Sequence, residues 1–319
     1  MKEKYKEFCA HTEGVNIFMQ PWFLDAVCSA GEWNVCMDIA KNGEVNGVLV
    51  YYMVKKWGFT TAQMPFQTAY MGLWIKEYPS QKLHQKTSHE RNTLKSLIAQ
   101  LPSFAYFSQS FSPQFSYWQP FQWAGFQHQL KVTHIVEGLD KPTELFNNFK
   151  ENTQKKIKKA AKNVVVEKND DSKIVYDIYS QIQNRYGRRM SYSLSFLENL
   201  DRKLKKNKAG QLYLARSVDD GAVHAALYII WDKTTAYYWL GGSDERYRNS
   251  GALSLLIWEI LKEMGSKGIK QFDFTGSSAE NLETFFTSFG AKKVAYLHLN
   301  RINNRFLSLF YTFKKAVIG

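Results

Sequence analysis

The sequence is poor in the residues that mark several protein classes. Its three cysteines, Cys9, Cys28 and Cys36, are an odd number and lack the spacing of metal ligands. No run of 18 apolar residues occurs, so no transmembrane helix is expected. The charged N-terminus has no apolar segment behind it, so no signal peptide is expected either. These features favour a cytoplasmic protein with reduced thiols.

Motifs of several common enzyme classes are also missing. The seven histidines show no His-Glu-x-x-His or clustered spacing, so no metal site is expected. Gly-x-Ser-x-Gly, Walker and Gly-x-Gly-x-x-Gly motifs are absent as well. The sequence therefore gives no reason to expect a metalloprotease, an α/β-hydrolase, a P-loop nucleotidase or a dinucleotide-binding enzyme.

Acidic residues are in deficit, with 29 Asp and Glu against 42 Lys and Arg, for a net charge of +13. This excess favours polyanionic partners, such as RNA, nucleotide-linked substrates, coenzyme A or anionic lipid. Alternatively, it serves solubility only. The 319 residues, 45% of them hydrophobic, suffice for two packed domains.

An internal repeat indicates how those domains are organised. Residues 35–53 align with residues 213–231 when Asn42-Gly43 is placed over Asp220-Gly221. Both pairs lie between β-rich runs and predict hairpins with type I′ turns, whose two central residues need positive φ. The same elements follow each hairpin: a third strand (59–64, 235–241), a helix (88–100, 251–266), a short strand (104–109, 271–276) and a last strand (128–137, 293–300). This order predicts an α/β fold with helices on mixed sheets, divided near residue 139.

Local signals predict several helix ends. Ser195 to Glu198 and Ser277 to Glu280 have capping-box spacing. Pro21 is predicted to be the first residue of a helix, and Gly31 to end that helix. Gly290 is predicted to follow the last helix of the second half.

The second half contains a series of segments in a characteristic order. They are Asn152 to Lys162, Ile182 to Gly187, Tyr238 to Ser243, Gly251-Ala252 with Trp258, Phe272 to Gly276, and Phe285 to Gly290. Together they resemble the FemAB and FemX group of peptidoglycan-bridge aminoacyltransferases, within the GNAT superfamily of acyltransferases. The resemblance covers residues 145–300 well and residues 15–137 only as a pattern. It implies two tandem GNAT-like domains, 1–139 and 140–319.

The sequence also departs from that group. The group often has Lys where this chain has Phe286, and no charged heptad arm for tRNA is inserted. The GNAT pyrophosphate loop is only half matched by the segment from Arg248 to Leu253. An acyl-CoA donor and an aminoacyl-tRNA donor therefore both stay open.

The turn between the third strand and the helix of the second half is the first candidate site. A glycine-bearing loop before a helix offers free N–H groups and the positive end of the helix dipole to a phosphate. The resemblance places the donor here and on the preceding strand: Tyr238, Trp239, Gly241, Gly242, Arg246, Arg248, Ser250 and Gly251. It also implies that the strands 222–231 and 235–241 splay and that their N–H groups hold the donor. The alternative is a loop rich in glycine for turn geometry alone, with solvated arginines.

Candidate substrate-binding residues come from three further segments. A helix near 145–163 places Lys155, Lys158, Lys159 and Lys162 on a stripe opposite its apolar face. This stripe either binds a polyanion or is a solvated surface. By resemblance, Lys155 and Lys158, together with Arg185 and Tyr186, bind substrate. The acceptor is expected to face Arg185 and the 63–72 loop, in which Gln67 and Tyr70 are candidates.

Asp273 is the candidate general base. It alternates with phenylalanines in Phe272-Asp273-Phe274, and burial raises the pKa of a carboxyl group toward a useful range. The alternative is a structural Asp that caps the loop after the strand.

The sequence thus predicts a bacterial cell-wall acyltransferase without a metal. It would move an acyl or aminoacyl group to an amine of a small molecule or cell-envelope precursor. The alternative is a non-catalytic protein that binds RNA or an envelope precursor and retains the fold.

Overall fold

The computed structural model describes residues 1–56, 58–276 and 280–304. The chain forms two compact units by its internal contacts. Unit 1 contains Met1–Lys131 and the chain from Ala295 onward, and unit 2 contains Val132–Val294. Whether the linear segments 1–139 and 140–319 are domains stays a prediction.

The strands of unit 1 are β1 (Glu32–Ile39), β2 (Val45–Lys56), β3 (Phe59–Ala62), β4 (Leu73–Ile75), β5 (Tyr106–Ser110) and, from residue 295, β12 (Lys292–Ile302). They form a sheet in the order β1-β2-β3-β5-β12, with β4 paired to β2. Its helices are α1 (Lys2–His11), α2 (Pro21–Val27), α3 (Leu83–Ala99) and α4 (Gln119–Trp123). Phenylalanines 107, 111 and 121 pack with Leu94 and Leu97 in its core. The parallel pair β3–β5 is the place where a helix, α3, crosses between two strands.

Unit 2 has the sheet order β6-β11-β10-β9-β8-β7. Its strands are β6 (Gln127–Glu137, from residue 132), β7 (Val164–Asn169), β8 (Gly210–Ser217), β9 (Val223–Trp231), β10 (Thr235–Ser243) and β11 (Gln271–Asp273). Its helices are α5 (Pro142–Asn147), α6 (Glu151–Ala160), α7 (Ser172–Arg185), α8 (Leu194–Lys206), α9 (Ala252–Ser266) and α10 (Glu280–Thr287). The apolar helix α9 buries six large side chains against one face of the sheet, and α7 and α8 pack on β10, β9 and β8.

The predicted order of elements is confirmed in both halves, but the predicted turn type is wrong. Only the glycines, Gly43 and Gly221, have positive φ at the two hairpin turns. Asn42 and Asp220 instead use their side-chain oxygens, which accept hydrogen bonds from the N–H groups of Glu44 (3.1 Å) and Ala222 (3.0 Å). Side chains of this kind stabilise a turn without a second residue in the left-handed region.

The predicted helix ends have mixed outcomes. Pro21 begins α2, as predicted. The prediction for α8 is two residues late, because Ser193 caps it and accepts a hydrogen bond from the Phe196 N–H at 3.2 Å. Gly31 does not end α2, which stops at Val27; a Cβ at Gly31 would lie 2.2 Å from the Met53 carbonyl oxygen. Ser277, Ser278 and Ala279 of the other capping box lie outside the described residues.

Candidate functional site

Strand β10 separates from β11 partway along its length. It pairs with β9 from Ala236 to Ser243, with a bulge between Tyr238 and Leu240. Its parallel pairing with β11 covers only Thr235 to Tyr237. The family resemblance implies that strands 222–231 and 235–241, which are β9 and β10, separate. These two strands stay paired, and the opening lies between β10 and β11. Residues Leu240–Ser243 have no β11 partner; the Tyr238 hydroxyl donates to the Gly241 carbonyl oxygen at 3.1 Å, and the rest of this strand edge is open to a ligand.

The turn after β11 creates this opening. The Asp273 carboxylate accepts a hydrogen bond from the Thr275 N–H at 2.7 Å, and Thr275 has a φ of 58°. This turn directs the chain away from β10. The Thr275 hydroxyl donates to the Tyr238 carbonyl oxygen at 2.8 Å, one residue beyond the end of the paired stretch at Tyr237.

A cavity of about 660 Å³ lies at this opening, wholly within unit 2. One wall is the β10 backbone from Tyr238 to Ser243, and the opposite wall is the chain from Phe274 to Gly276. Aromatic and aliphatic side chains form much of the lining, among them Ile182, Tyr238, Trp239, Phe274, Phe285 and Phe286. Such a lining excludes water and strengthens the electrostatic interactions of the polar groups that face it.

The N-terminus of α9 forms the polar end of the cavity. Gly251 precedes the helix with a φ of 80°, and a Cβ there would lie 2.9 Å from the Lys156 carbonyl oxygen, so glycine is required on both counts. The Ser250 hydroxyl accepts a hydrogen bond from the Ala252 N–H at 3.2 Å. Leu253 and Ser254, in the first turn, line the cavity. N–H groups in the first turn of a helix favour a bound anion.

Four cationic side chains surround this cavity: Lys156, Arg185, Arg188 and Arg248. Glu245 forms ion pairs with two of them, Arg185 at 3.0 Å and Arg248 at 3.4 Å. One carboxylate therefore balances two arginines, and the lining keeps an excess of positive charge.

Tyr186, which the sequence analysis predicted to bind substrate together with Arg185, lies at the rim of the cavity. The Tyr186 ring is contacted by the guanidinium groups of Arg185 (5.2 Å to the ring centroid) and Arg188 (5.9 Å). A hydrogen bond with Asn281 lowers the pKa of the Tyr186 phenol, and Arg185 adds to the effect. The predicted substrate-binding pair Arg185 and Tyr186 is thus brought to the same cavity as Tyr238, Trp239, Gly241, Gly242, Arg248 and Gly251.

Two members of the predicted donor loop have other partners. Arg246 holds Asp244 through two hydrogen bonds, Nε to Oδ1 at 3.0 Å and Nη2 to Oδ2 at 2.9 Å, and it does not line the cavity. The Arg246 guanidinium lowers the pKa of Asp244, whose side chain is almost fully buried. Ser250 also lies outside the lining, and its hydroxyl accepts the hydrogen bond from the Ala252 N–H. Sequence spacing alone does not distinguish Arg246 from Arg248.

The lysine stripe of α6 also lies outside the cavity. Lys155 pairs with Glu151 at 2.6 Å, and the Lys158 ammonium is 5.8 Å from the centre of the Phe146 ring. Ile157 and Ala160 are buried on the opposite face, as the periodicity predicts. Lys156, which the sequence analysis did not single out, lines the cavity.

Asp273 is held in a structural position. Its side chain is 2% exposed and accepts hydrogen bonds from the Thr133 hydroxyl and the Thr275 N–H. It is not part of the cavity lining. This geometry favours the interpretation that Asp273 caps the loop after the strand. Among the described lining residues there is no carboxylate and no imidazole.

The remaining predicted residues, Gln67 and Tyr70, belong to unit 1. Tyr70 is buried and makes edge-on contacts with Phe18 and Tyr296. Gln67 has a positive φ of 53°, which marks a tight turn in the 63–72 loop. Their role toward an acceptor stays a prediction.

No cluster of three or more His, Cys, Asp or Glu side chains in residues 1–56, 58–276 and 280–304 is arranged to hold a metal ion. No helix among these residues combines the length and the apolar character needed to span a membrane.

Comparisons with known proteins agree with this geometry. Residues 147–281, which contain most of the cavity, match the family model described as an acetyltransferase (GNAT) domain. Among solved structures, FemX superposes with a TM-score of 0.71 at 13% identity, covering 97% of this chain and 98% of FemX. L-PGS from Bacillus licheniformis gives a TM-score of 0.54 at 10% identity, covering 99% and 96% of the two chains. A tandem GNAT protein from the clavulanic acid biosynthesis pathway gives 0.52 at 11% identity, covering 86% and 83%.

No curated protein sequence matches this chain. The structural likenesses are at low identity and show the fold alone, which is the predicted tandem GNAT-like α/β arrangement. The family model thus places a GNAT domain at residues 147–281, and the fold of the chain as a whole is similar to that of FemX.

Proposed function

We propose that this protein is an N-acyltransferase whose donor binds in the cavity of unit 2. The single observation that carries the proposal is the separation of β10 from β11 next to the N-terminus of α9. It presents the edge of β10 from Leu240 to Ser243, which β11 does not cover, and first-turn N–H groups of a helix to one cavity. The helix end suits a phosphate, and the strand edge suits the amide groups of an extended chain.

The cavity favours an acyl-CoA donor over aminoacyl-tRNA. Phe286, where the FemAB and FemX group often has Lys, is 6% exposed and stacks on Phe274 with ring centres 4.4 Å apart. This wall therefore offers no cation to a nucleic-acid backbone. The lysine stripe of α6, which could contact several phosphates, lies outside the lining. Aminoacyl-tRNA stays the second donor candidate because that stripe is exposed.

Transfer in this cavity would be direct. The acceptor amine attacks the thioester carbonyl carbon, the C–N bond forms, the C–S bond breaks, and the amine proton is lost as the thiolate gains one. Because no described lining residue is a carboxylate or an imidazole, we assign the rate enhancement to positioning and to backbone N–H groups facing the developing oxyanion. The rate should then rise with pH until the acceptor amine is fully neutral.

The acceptor is an amine of a small molecule or of a cell-envelope precursor. The structural likeness to FemX and to L-PGS supports the second option, together with a bacterial, cytoplasmic enzyme of cell-wall metabolism. Gln67 and Tyr70 remain the candidates for acceptor binding.

A non-catalytic binding protein is the competing function. The position of Asp273 favours this function, because its carboxylate accepts a hydrogen bond within a turn and does not line the cavity. Such a protein would bind RNA or an envelope precursor but would not turn over a donor.

A panel of ligands separates these functions. Thermal denaturation is measured with acetyl-CoA and longer acyl-CoA thioesters, with aminoacyl-tRNA, and with a UDP-linked muropeptide; a ligand that binds only the folded state raises the melting temperature. We expect stabilisation by the thioesters and release of free thiol when an amine acceptor is added. Binding of tRNA or muropeptide without thiol release would support the non-catalytic protein, and no response to any thioester would contradict the proposal.

A further inference from the structure

Helix α3 changes character along one face. Thr93, Leu94 and Leu97 are its buried residues, and the helix packs on β1 and β2. One turn earlier on the same stripe, at i−3, i−4 and i−7 spacing, the residues are Lys86, His89 and Glu90. These three residues are half-buried, so this end of the stripe does not pack into the core.

These three residues border a cavity of about 400 Å³ within unit 1. Its other walls are largely aromatic, with Tyr70, Trp74, Tyr78 and Phe115. The exposed Tyr78 ring stacks on His89 with centres 4.9 Å apart and an interplanar angle of 29°. The cavity therefore combines flat π-faces with titratable groups from α3.

The charges around this cavity are balanced except at one position. Lys76 pairs with Glu44 at 3.0 Å, and Lys86 pairs with Glu77 at 3.3 Å. The Glu90 carboxylate has no ion pair or hydrogen bond within the part of the chain that the structure describes, and burial raises its pKa. His89 Nε2 is also buried without a hydrogen-bond partner. A buried polar atom without a hydrogen-bond partner costs folding free energy. A ligand that supplies the missing partner can recover this free energy.

We propose that this cavity binds a small organic cation, a protonated amine attached to a planar or ring-shaped group. The ammonium would form an ion pair with Glu90 and contact the faces of Trp74 and Tyr78, which attract cations electrostatically. The organic part would fill the aromatic walls. The site lies in unit 1 alone, so it does not rest on the proposed transferase function.

Benzylamine, protonated at neutral pH, and its neutral isostere benzyl alcohol are suitable probes. Met19 and Met71 line the cavity, so spectra of protein with methyl-13C methionine report where a probe binds, with Met264 in the unit 2 core as an internal reference. We expect shifts at Met19 and Met71 only. Benzylamine should bind about 10- to 100-fold more tightly than benzyl alcohol, as is typical when a charged hydrogen bond is gained.

Two isosteric variants test the carboxylate. Glu90→Gln should reduce the preference for the amine to near unity, whereas Glu77→Gln should leave it largely intact because Glu77 already pairs with Lys86. Thermal denaturation of both variants checks that they fold. The proposal would be overturned if the unchanged protein bound both probes equally or bound neither. It would also be overturned if both variants lost the preference for the amine equally, or if the shifts occurred away from Met19 and Met71.

Discussion

Replacement of Arg248 by Ala should weaken donor binding without destabilising the protein. Arg248 lines the cavity close to Gly251 at the start of α9, whereas its ion pair with Glu245, at 3.4 Å, is exposed. Exposed ion pairs contribute about 0–1 kcal/mol, so the melting temperature should change by about 2 °C or less. A guanidinium–phosphate contact contributes about 1.5–3 kcal/mol, so the Kd for coenzyme A should rise about 10- to 100-fold.

Arg246→Ala is the matched control, because Arg246 is two residues away, equally positive and bound to Asp244 outside the cavity. Calorimetric titration with coenzyme A at low ionic strength, where charge effects are largest, measures both variants. We expect Arg246→Ala to bind coenzyme A within about threefold of the unchanged protein, since it loses no phosphate contact. An unchanged Kd in Arg248→Ala, or the same loss in both variants, would refute the assignment of the phosphate to this end of the cavity.

Three further predictions concern stability. Asp273→Ala should cost about 3 kcal/mol in the free energy of unfolding, measured by denaturant titration, because it leaves the buried Thr133 hydroxyl and the Thr275 N–H without their acceptor. Unchanged stability with lost turnover would restore Asp273 as a catalytic residue. Gly251→Ala should cost about 1–3 kcal/mol in the same assay, because an L-residue is strained at a φ of 80° and its Cβ would meet the Lys156 carbonyl; a neutral effect would contradict this. Burial lowers the pKa of His298 from 6.5 to about 4, so the neutral imidazole contributes stability above pH 6.5 that is lost as the pH falls toward 4. The melting temperature should therefore fall more steeply over this range than in His298→Gln, and parallel curves would be the contrary result.

The order of the elements was predictable because it depends on local signals. Asn42-Gly43 and Asp220-Gly221 mark hairpins, and the apolar run from Ala252 to Met264 marks a buried helix. These signals depend only on residues that are close together in the chain, so a single sequence is enough to detect them. The exact turn was not predictable, because Asn42 stabilises it through its side chain rather than through positive φ.

The candidate site was predictable in outline only. Gly241, Gly242, Gly251 and Arg248 were expected at one site because a glycine-bearing loop before a helix suits a phosphate, and they do line one cavity; their role there stays a prediction. The position of the splay was missed because it depends on the length of β11 and on the Thr275 turn, which only the tertiary structure fixes. Lys156 was missed because its neighbours Lys155 and Lys158 look equivalent in sequence, and the packing of α6 on α9 decides which lysine faces the cavity.

Hydrogen–deuterium exchange with and without acetyl-CoA tests the central claim most directly, because it reports on the backbone N–H groups that the account assigns to the donor. We expect slower exchange at Leu240–Ser243 and in the first turn of α9, with unchanged exchange in β8 as a reference. Binding of acetyl-CoA that leaves exchange in both segments unaltered would contradict the claim that the opening between β10 and β11 is the donor site.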